Sequence, residues 1–358
     1  MSINIRGKKI GDGAPCYITF EAGPTHSGMD SAIELVRLAH ASGADAIKFQ
    51  IFDPDKLVAD KKQLFTYDIL LDRETGETKT VSEPLYDILQ RRSLSQIEWR
   101  EVKKVADQLD IAFFSTVGFK EDLEFLMDIG CDSIKIASAD VNHYPLLEQA
   151  AKTGMCIQLD TGNASLGEIE QAVDVLVNHG NENIIIHQCP SGYPAHLQSI
   201  NLNMIKTLKT MFPFPAAFSD HSPGWDMDIA ALAVGADLLE KTITFDRCTP
   251  SVEHIMSIEK EECEKFIQSI RDVEIALGGT RRIISQEQYT NIIKVRRSAF
   301  INKDLAKGAA ISLEDLDFRR PGNGIPPSDF KQLIGKTLTK SLSQGEKLSW
   351  QYLDSWKP

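Results

Sequence analysis

Eight short apolar runs recur along the first two thirds of the chain, at residues 16–21, 46–50, 112–116, 133–138, 156–161, 184–188, 216–219 and 238–241. Each is rich in β-branched and aromatic residues and too short for a helix, so each reads as a buried strand. Amphipathic stretches with helical spacing lie between them, at 31–41, 94–108, 121–129, 166–178 and 227–234. A final one at 259–277 closes the series and ends at Gly278-Gly279-Thr280, as glycine does just past a helix. Strands alternating with helices eight times predict a (β/α)₈ barrel rather than an open doubly wound sheet. Residues 3–10, ahead of the first strand, predict a small hairpin closing the bottom of the barrel.

Two regions depart from the alternation. Residues 52–92 are long and charged and follow the second strand, so they predict a partly ordered lid projecting from the strand C-terminal face. After about residue 280 a polar, basic link at 281–296 leads into short strand patterns at 299–318 and 338–353, with turns at Lys307-Gly308 and Gln344-Gly345. The expected organisation is a barrel at 1–280, a link at 281–296 and a small β-rich module at 297–358. A module of that size is marginal alone and is expected to dock on another surface.

Composition narrows the class. At 358 residues, with 42% hydrophobic and 25% charged residues, the chain has the make-up of a water-soluble globular protein. No run is long and apolar enough to span a membrane, and the N-terminus lacks a signal-peptide pattern. The six cysteines are scattered, without zinc-type spacing, and read as buried thiols in a reducing cytoplasm. A net charge of -12 argues against a nucleic-acid partner.

The chemistry is concentrated at strand ends. Lys48 in Ala46-Ile-Lys-Phe-Gln50 and Lys135 in Ser133-Ile-Lys-Ile-Ala137 sit inside apolar strands. Desolvating an ammonium is costly without a partner. No carboxylate adjacent in sequence must pair them, so the expected anion is a phosphate or carboxylate of a substrate. The remaining strands end in Glu21, Thr116, Ser138 with Asp140, Asp160, Ser219 with His221, and Glu240 with Lys241. The sixth runs into a turn carrying Ser191 and Tyr193. His221 is a candidate metal ligand, and Glu240 and Lys241 read alone as a salt-bridged pair. Polar or ionisable groups on all eight strand ends of one face together predict an active site.

The ordered set Glu21-Ala-Gly-Pro-Thr-His-Ser-Gly28, Gly43-Ala-Asp-Ala-Ile-Lys-Phe-Gln50, Lys135-Ile-Ala-Ser138, Cys189-Pro-Ser-Gly-Tyr-Pro194, Phe218-Ser-Asp-His221, Gly235-Ala-Asp-Leu-Leu-Glu-Lys241 and Arg320-Pro-Gly-Asn-Gly324 resembles the sialic acid (nonulosonic acid) synthase family. The resemblance covers nearly the whole chain. It implies a barrel that condenses phosphoenolpyruvate with N-acetylmannosamine or a related 2-acetamido sugar, releasing phosphate. It also implies a C-terminal antifreeze-like (SAF) domain, a divalent metal (usually manganese, with magnesium as the other oxygen-loving choice), and a domain-swapped homodimer.

By matching position, Lys48, Thr116, Lys135, Ser138, Ser191 and Ser219 fall where the family holds phosphoenolpyruvate, and Gln50 and Tyr193 where it handles the sugar. Glu21 matches the strand-one carboxylate and His221 the first metal histidine. Arg320 matches an arginine that reaches the sugar in the neighbouring subunit. Glu21, Lys48, Lys135 and Glu240 are the expected catalytic set. Two positions depart from the family pattern: Thr242 stands where a second metal histidine is usual, and Asp160 where a phosphate-facing serine is usual. Three readings follow: Asp160 replaces the missing ligand, the metal is weak or absent, or the sugar is different. A catalytically inactive sugar-binding relative is the alternative from another class.

Overall fold

The computed structural model describes residues 1–279 and 281–354. The chain divides into two compact units, Met1–Gly278 and Gly279–Pro358. Thr280 and the last four residues of the expected C-terminal module lie outside the described residues. Among the described residues no helix is long and apolar enough to cross a membrane.

The first unit opens with β1 (Ile3–Ile5) and β2 (Lys8–Ile10), an antiparallel pair. Eight parallel strands then close on themselves: β3 (Tyr17–Glu21), β4 (Ala46–Gln50), β7 (Ala112–Val117), β8 (Ser133–Ile136), β9 (Cys156–Asp160), β10 (Ile184–Gln188), β11 (Ala216–Asp220) and β12 (Leu238–Thr244). β12 pairs with both β11 and β3, which completes the barrel. Between β4 and β7 lies an antiparallel hairpin, β5 (Leu64–Leu70) and β6 (Thr78–Pro84). The 52–92 excursion is therefore built largely of regular structure.

Each barrel strand is followed by a crossover helix: Met29–Ser42, Gln96–Gln108, Lys120–Asp128, Tyr144–Lys152, Leu166–Asn178, Met204–Met211, Asp226–Val234 and Lys260–Leu277. Local chemistry starts several of them. Ser95 with Glu98 and Ser165 with Glu168 form reciprocal capping boxes, satisfying backbone N–H groups that have no partner within the helix. β8 stops at Ile136, short of the expected Ser138, because the chain turns there and Asp140 N bonds Ala137 O at 2.9 Å.

Side chains alternate across each strand, and this sorts the sequence into two environments. Outward residues such as Ile18, Phe49, Phe113, Leu159, Phe218 and Leu239 are fully buried beneath the helices. Inward residues begin as a small apolar plug. Tyr17, Ala46, Ala112, Cys156, Ile185, Ala217 and Leu238 pack with Ile3, Ile5 and Ile10 of the hairpin, which closes the bottom as the sequence predicts. One step up the same strands, every second residue is polar or charged: Lys48, Lys135, Gln158, His187, Ser219 and Glu240, all buried. The barrel interior thus passes from apolar to ionisable along its axis.

Glu240 and Lys241 do not pair with each other, contrary to the reading of the pair alone. As neighbours on one strand they face opposite ways. Lys241 lies in the helix-facing layer and is bonded to Asp220 and Ser222 O, with Asp228 at 3.8 Å. Burial and the nearby Asp220 push the Asp228 carboxyl well above its usual range.

The second unit holds a helix, Gln286–Val295, within the span read as a link. Strand Ser298–Ile301 pairs antiparallel with Leu316–Arg319. Isolated bridges join Phe300 to Lys347, Leu305 to Leu342, Ala310 to Thr337 and Leu338 to Leu353. Its core is a separate cluster that includes Ala299, Ile301, Ile311, Leu333, Leu348 and Leu353.

Replacing Lys241 by Met leaves Asp220 and Asp228 buried without their cation. Breaking such a group from one side costs about 3–5 kcal/mol. Urea unfolding of Lys241→Met is expected to show a loss of that size at neutral pH, and a loss under about 1 kcal/mol would mean the buried Lys241–Asp220 pair is not formed.

Candidate active site

At the C-terminal ends of the barrel strands lies a cavity of about 300 Å³, where parallel barrels carry their chemistry. Glu21, Lys48, Gln50, Thr116, Ser138, Asp140, Asp160, Tyr193, His221, Glu240 and Glu253 all reach its wall. Two glycines let the backbone close around it. A Cβ on Gly23 would stand 2.7 Å from Gln50 N and Cγ, and one on Gly162 would stand 2.2 Å from Cys189 O. Gly23 N also donates to Glu21 Oε1 at 2.5 Å, which fixes the carboxylate.

Beneath the cavity the charged side chains form one network. Lys48 Nζ pairs with Glu21 and lies 3.0 Å from Glu240 Oε1. Lys135 Nζ lies 2.7 Å from the same Glu240 oxygen, 3.0 Å from Asp160 Oδ2 and 2.9 Å from Ser219 Oγ. The expectation of two buried cations waiting for an external anion is therefore corrected. Carboxylates from β3, β9 and β12, remote in sequence, supply the counter-charge. Lys135 and Ser219 do not reach the cavity wall; they lie in the floor under Glu240 and Asp160.

The electrostatics follow from burial set against these partners. Burial alone would raise Glu240, but Lys135 and Lys48 outweigh it and hold the carboxyl well below its usual range. Burial opposes the charge on Lys48 as well, and there Glu21 and Glu240 prevail and raise its pKa. At Glu21 burial wins over Lys48, and its pKa is raised. Glu253 is pushed up to about 8, first by burial and then by the Glu21 carboxylate, with Arg92 and Lys48 opposing. A carboxyl near that value is largely protonated at neutral pH and can donate a proton.

Ser219 organises the floor. Its hydroxyl donates to Asp160 Oδ1 at 3.1 Å and accepts from Lys135. His187 Nδ1 lies 2.9 Å from the same oxygen, so Nδ1 carries the proton and Nε2 is bare. Burial and then Lys135 lower His187 to about 3.

Other expected residues fall at different depths. Thr116, Ser138, Gln50 and Tyr193 line the walls, and the Tyr193 ring packs against His221 at a tilt of 37°, with centroids 4.7 Å apart. Ser191 is exposed and off the cavity wall, bonded to Gly162 O at 3.0 Å and Asn163 Oδ1 at 2.7 Å. Asn163 in turn donates to Ser138 at 3.1 Å. Arg320 belongs to the second unit, where its Nε donates to Val295 O at 2.9 Å.

Sequence reasoning did not find Glu253, Arg92 or His187. A period-of-two count from Ile185 would have turned His187 inward. Glu253 lies in an irregular loop and gave no such signal.

Comparison with known proteins identifies the family of the chain. The NeuB family model matches residues 35–282 and the SAF domain model residues 296–353. The chain belongs to the NeuB family. It is 35% identical to N,N'-diacetyllegionaminic acid synthase of Legionella pneumophila, over 97% of each chain. It is 29% identical to human N-acetylneuraminate-9-phosphate synthase, over 98% of this chain and 96% of that one. Among solved structures, the sialic acid synthetase of Leptospira borgpetersenii superposes with a TM-score of 0.70 at 28% identity, covering 82% of this chain and 95% of the other. Membership of a family of nonulosonic acid synthases makes this chain an enzyme.

The divalent metal that the sequence resemblance implies would meet a mixed donor set here. His221 Nδ1 is bonded to Pro190 O at 3.0 Å, which leaves Nε2 free to ligate. Burial lowers its pKa and keeps the ring neutral. Thr242 offers only a neutral hydroxyl, a poor ligand for manganese. Asp160 is held by Lys135 and Ser219. Among the described residues no three His, Cys, Asp or Glu side chains gather as a metal cage. The protein donors do not by themselves fit a tightly held ion.

Imidazole nitrogen NMR offers a check on the floor. His187 is expected to remain neutral, protonated on Nδ1, down to about pH 4, since its pKa falls to about 3. Protonation near pH 6 would show that the ring is not held buried beside a charged Lys135.

Proposed function

We propose that the barrel condenses phosphoenolpyruvate with the open-chain aldehyde of a 2-acetamido sugar, giving a nonulosonic acid and phosphate. The observation that carries this reading is the desolvated Lys48–Glu21–Glu240–Lys135 cluster opening onto a polar cavity. Lys48 supplies positive charge to an anionic substrate at a site of low dielectric, where such contacts are strongest. Thr116 and Ser138 offer hydroxyls for phosphate oxygens, and Gln50 and Tyr193 offer contacts for the sugar.

The enol carbon attacks the aldehyde carbon, and the aldehyde oxygen gains negative charge and needs a proton. Glu253, protonated at neutral pH, is the group on the cavity wall suited to give it. Water adds at the former enol-ether carbon, and phosphate leaves. Glu21, raised in pKa and held beside Lys48, is suited to accept the proton of that water. No step is derived through a metal.

Phosphate release from phosphoenolpyruvate in the presence of a panel of 2-acetamido sugars tests the reading directly. Release with none of them, with or without manganese, would overturn it. Lys48→Met is expected to weaken phosphoenolpyruvate binding by about an order of magnitude or more, from a charge-assisted contact of roughly 1.5–3 kcal/mol. Unchanged affinity in that variant would remove Lys48 from the role.

The pH dependence has a definite sign. Glu253 must be protonated to donate, so turnover is present below its pKa and falls as pH rises through about 8. Glu253→Gln should abolish that limb of the profile together with most of the turnover.

We further propose that manganese or magnesium is held weakly through His221 and substrate oxygens, and that Arg320 serves the site across a homodimer. Thr242→His is expected to tighten manganese binding by about tenfold or more, since an imidazole replaces a hydroxyl. Asp160→Ser is expected to leave it unchanged, because Asp160 is already bonded to Lys135. Calorimetric titration reads both. Mixing Arg320→Ala chains with Lys48→Met chains should restore activity in hybrid dimers, and no recovery despite verified exchange would refute the role in trans.

A further inference from the structure

The 52–92 segment touches the loop that follows β12 in three places. Tyr67, Ile69 and Ile88 bury a shared apolar cluster with Val252. Arg73 reaches Asp246 at 2.7 Å and Glu259 at 3.3 Å. Arg92 donates to Ser251 Oγ at 3.2 Å. The next residue after this contact zone is Glu253. Its backbone is left-handed, with φ 74°, a conformation unfavourable for a residue that has a Cβ. On its far side Ser257 Oγ bonds Glu253 O at 2.7 Å, and Thr244 Oγ1 lies 2.8 Å from His254 Nδ1. A strained residue persists only where its surroundings over-determine it. Here the hairpin supplies one side of that constraint and the barrel rim the other.

Arg92 stands out within the contact. It is only 5% exposed, yet among the described residues the one hydrogen bond of its guanidinium goes to a neutral hydroxyl, and no carboxylate lies at ion-pair distance. A buried guanidinium without an ion pair is costly. Its field falls on Glu253, and the other charged or titratable groups facing that carboxyl are Glu21 from β3, Lys48 from β4, Glu240 from β12 and Tyr193 from the turn after β10.

We propose that Arg92 is a positioning residue. With the Tyr67–Ile69–Ile88–Val252 cluster it clamps the loop after β12, so that the Glu253 carboxyl faces the cavity and keeps its charge balance. The 52–92 segment is on this view part of the site's architecture, and its docking assembles the acid. The proposal rests on Glu253 serving the condensation as described above.

Two measurements on the full chain test it. Amide hydrogen exchange without any substrate reads the clamp itself. Arg92→Gln, and Val252→Thr on the opposite side of the contact, should speed exchange at residues 249–254 by about tenfold or more, with β4 and β8 unchanged. Unaltered exchange at 249–254 in both variants overturns the proposal. The pH profile of turnover reads the charge. Removing a cation beside a carboxyl raises its pKa, so Arg92→Gln should move the alkaline limb upward and Arg92→Lys should restore it. A limb that stays in place in Arg92→Gln, or an equal loss from Arg92→Gln in the Glu253→Gln background, also overturns it and leaves the condensation reading standing. Absence of phosphate release by the unmodified chain counts against the condensation alone, because the exchange result needs no turnover.

Discussion

The structure turns on one constraint: two ammonium groups lie where almost no water reaches them. Lys48 and Lys135 are 4% and 1% exposed, and each must be neutral, paired or ruinously unstable. The barrel resolves this by bringing Glu240 to both lysines, Glu21 to the first and Asp160 to the second. Because the pairing joins five strands spread along the sequence, it forms only when the barrel is closed. The chemistry and the closure of the fold are therefore coupled.

That coupling shapes the site above it. The carboxylates that neutralise the lysines also limit how much positive charge the cavity shows to a substrate. Lys48 reaches the wall, whereas Lys135 acts from below through Glu240, Asp160 and Ser219. Burial first, and the crowding of acids after it, raises Glu21 and Glu253, while Lys135 and Lys48 hold Glu240 down. Carboxyls within one cavity are thereby driven apart in acidity, which is the condition for one to give a proton while another stays charged.

Asp160 and Thr242 give the floor its individual character. Asp160 is joined to Lys135 and Ser219, and Ser219 to His187, so a contiguous hydrogen-bonded floor lies under the cavity. Such a network polarises as a unit. Thr242 lies opposite Glu21 on the paired strand and brings a neutral hydroxyl. Both residues lie among the buried ionisable groups at the strand ends, and neither belongs to the outward apolar layer that packs the barrel against its helices.

The barrel itself was legible because apolar runs alternating with helical stripes have few stable arrangements, and the strand-end clustering of Glu21, Gln50, Thr116, Ser138, Asp160, His221 and Glu240 follows from a period of two. The motifs around Lys48, Tyr193 and Arg320 carried the family. Partners separated by many residues were not legible. Nothing local in Ala46–Gln50 announces that Glu21 and Glu240 will neutralise Lys48, since that depends on strand order and register. Nor does the stretch after β12 announce Glu253, whose direction is set by a left-handed backbone and by a hairpin that folds back from residues 64–84. Composition and periodicity determine which face of each strand is buried; only closure of the barrel and docking of the hairpin decide which charges meet, because Coulomb energy depends on distances that the linear chain does not contain.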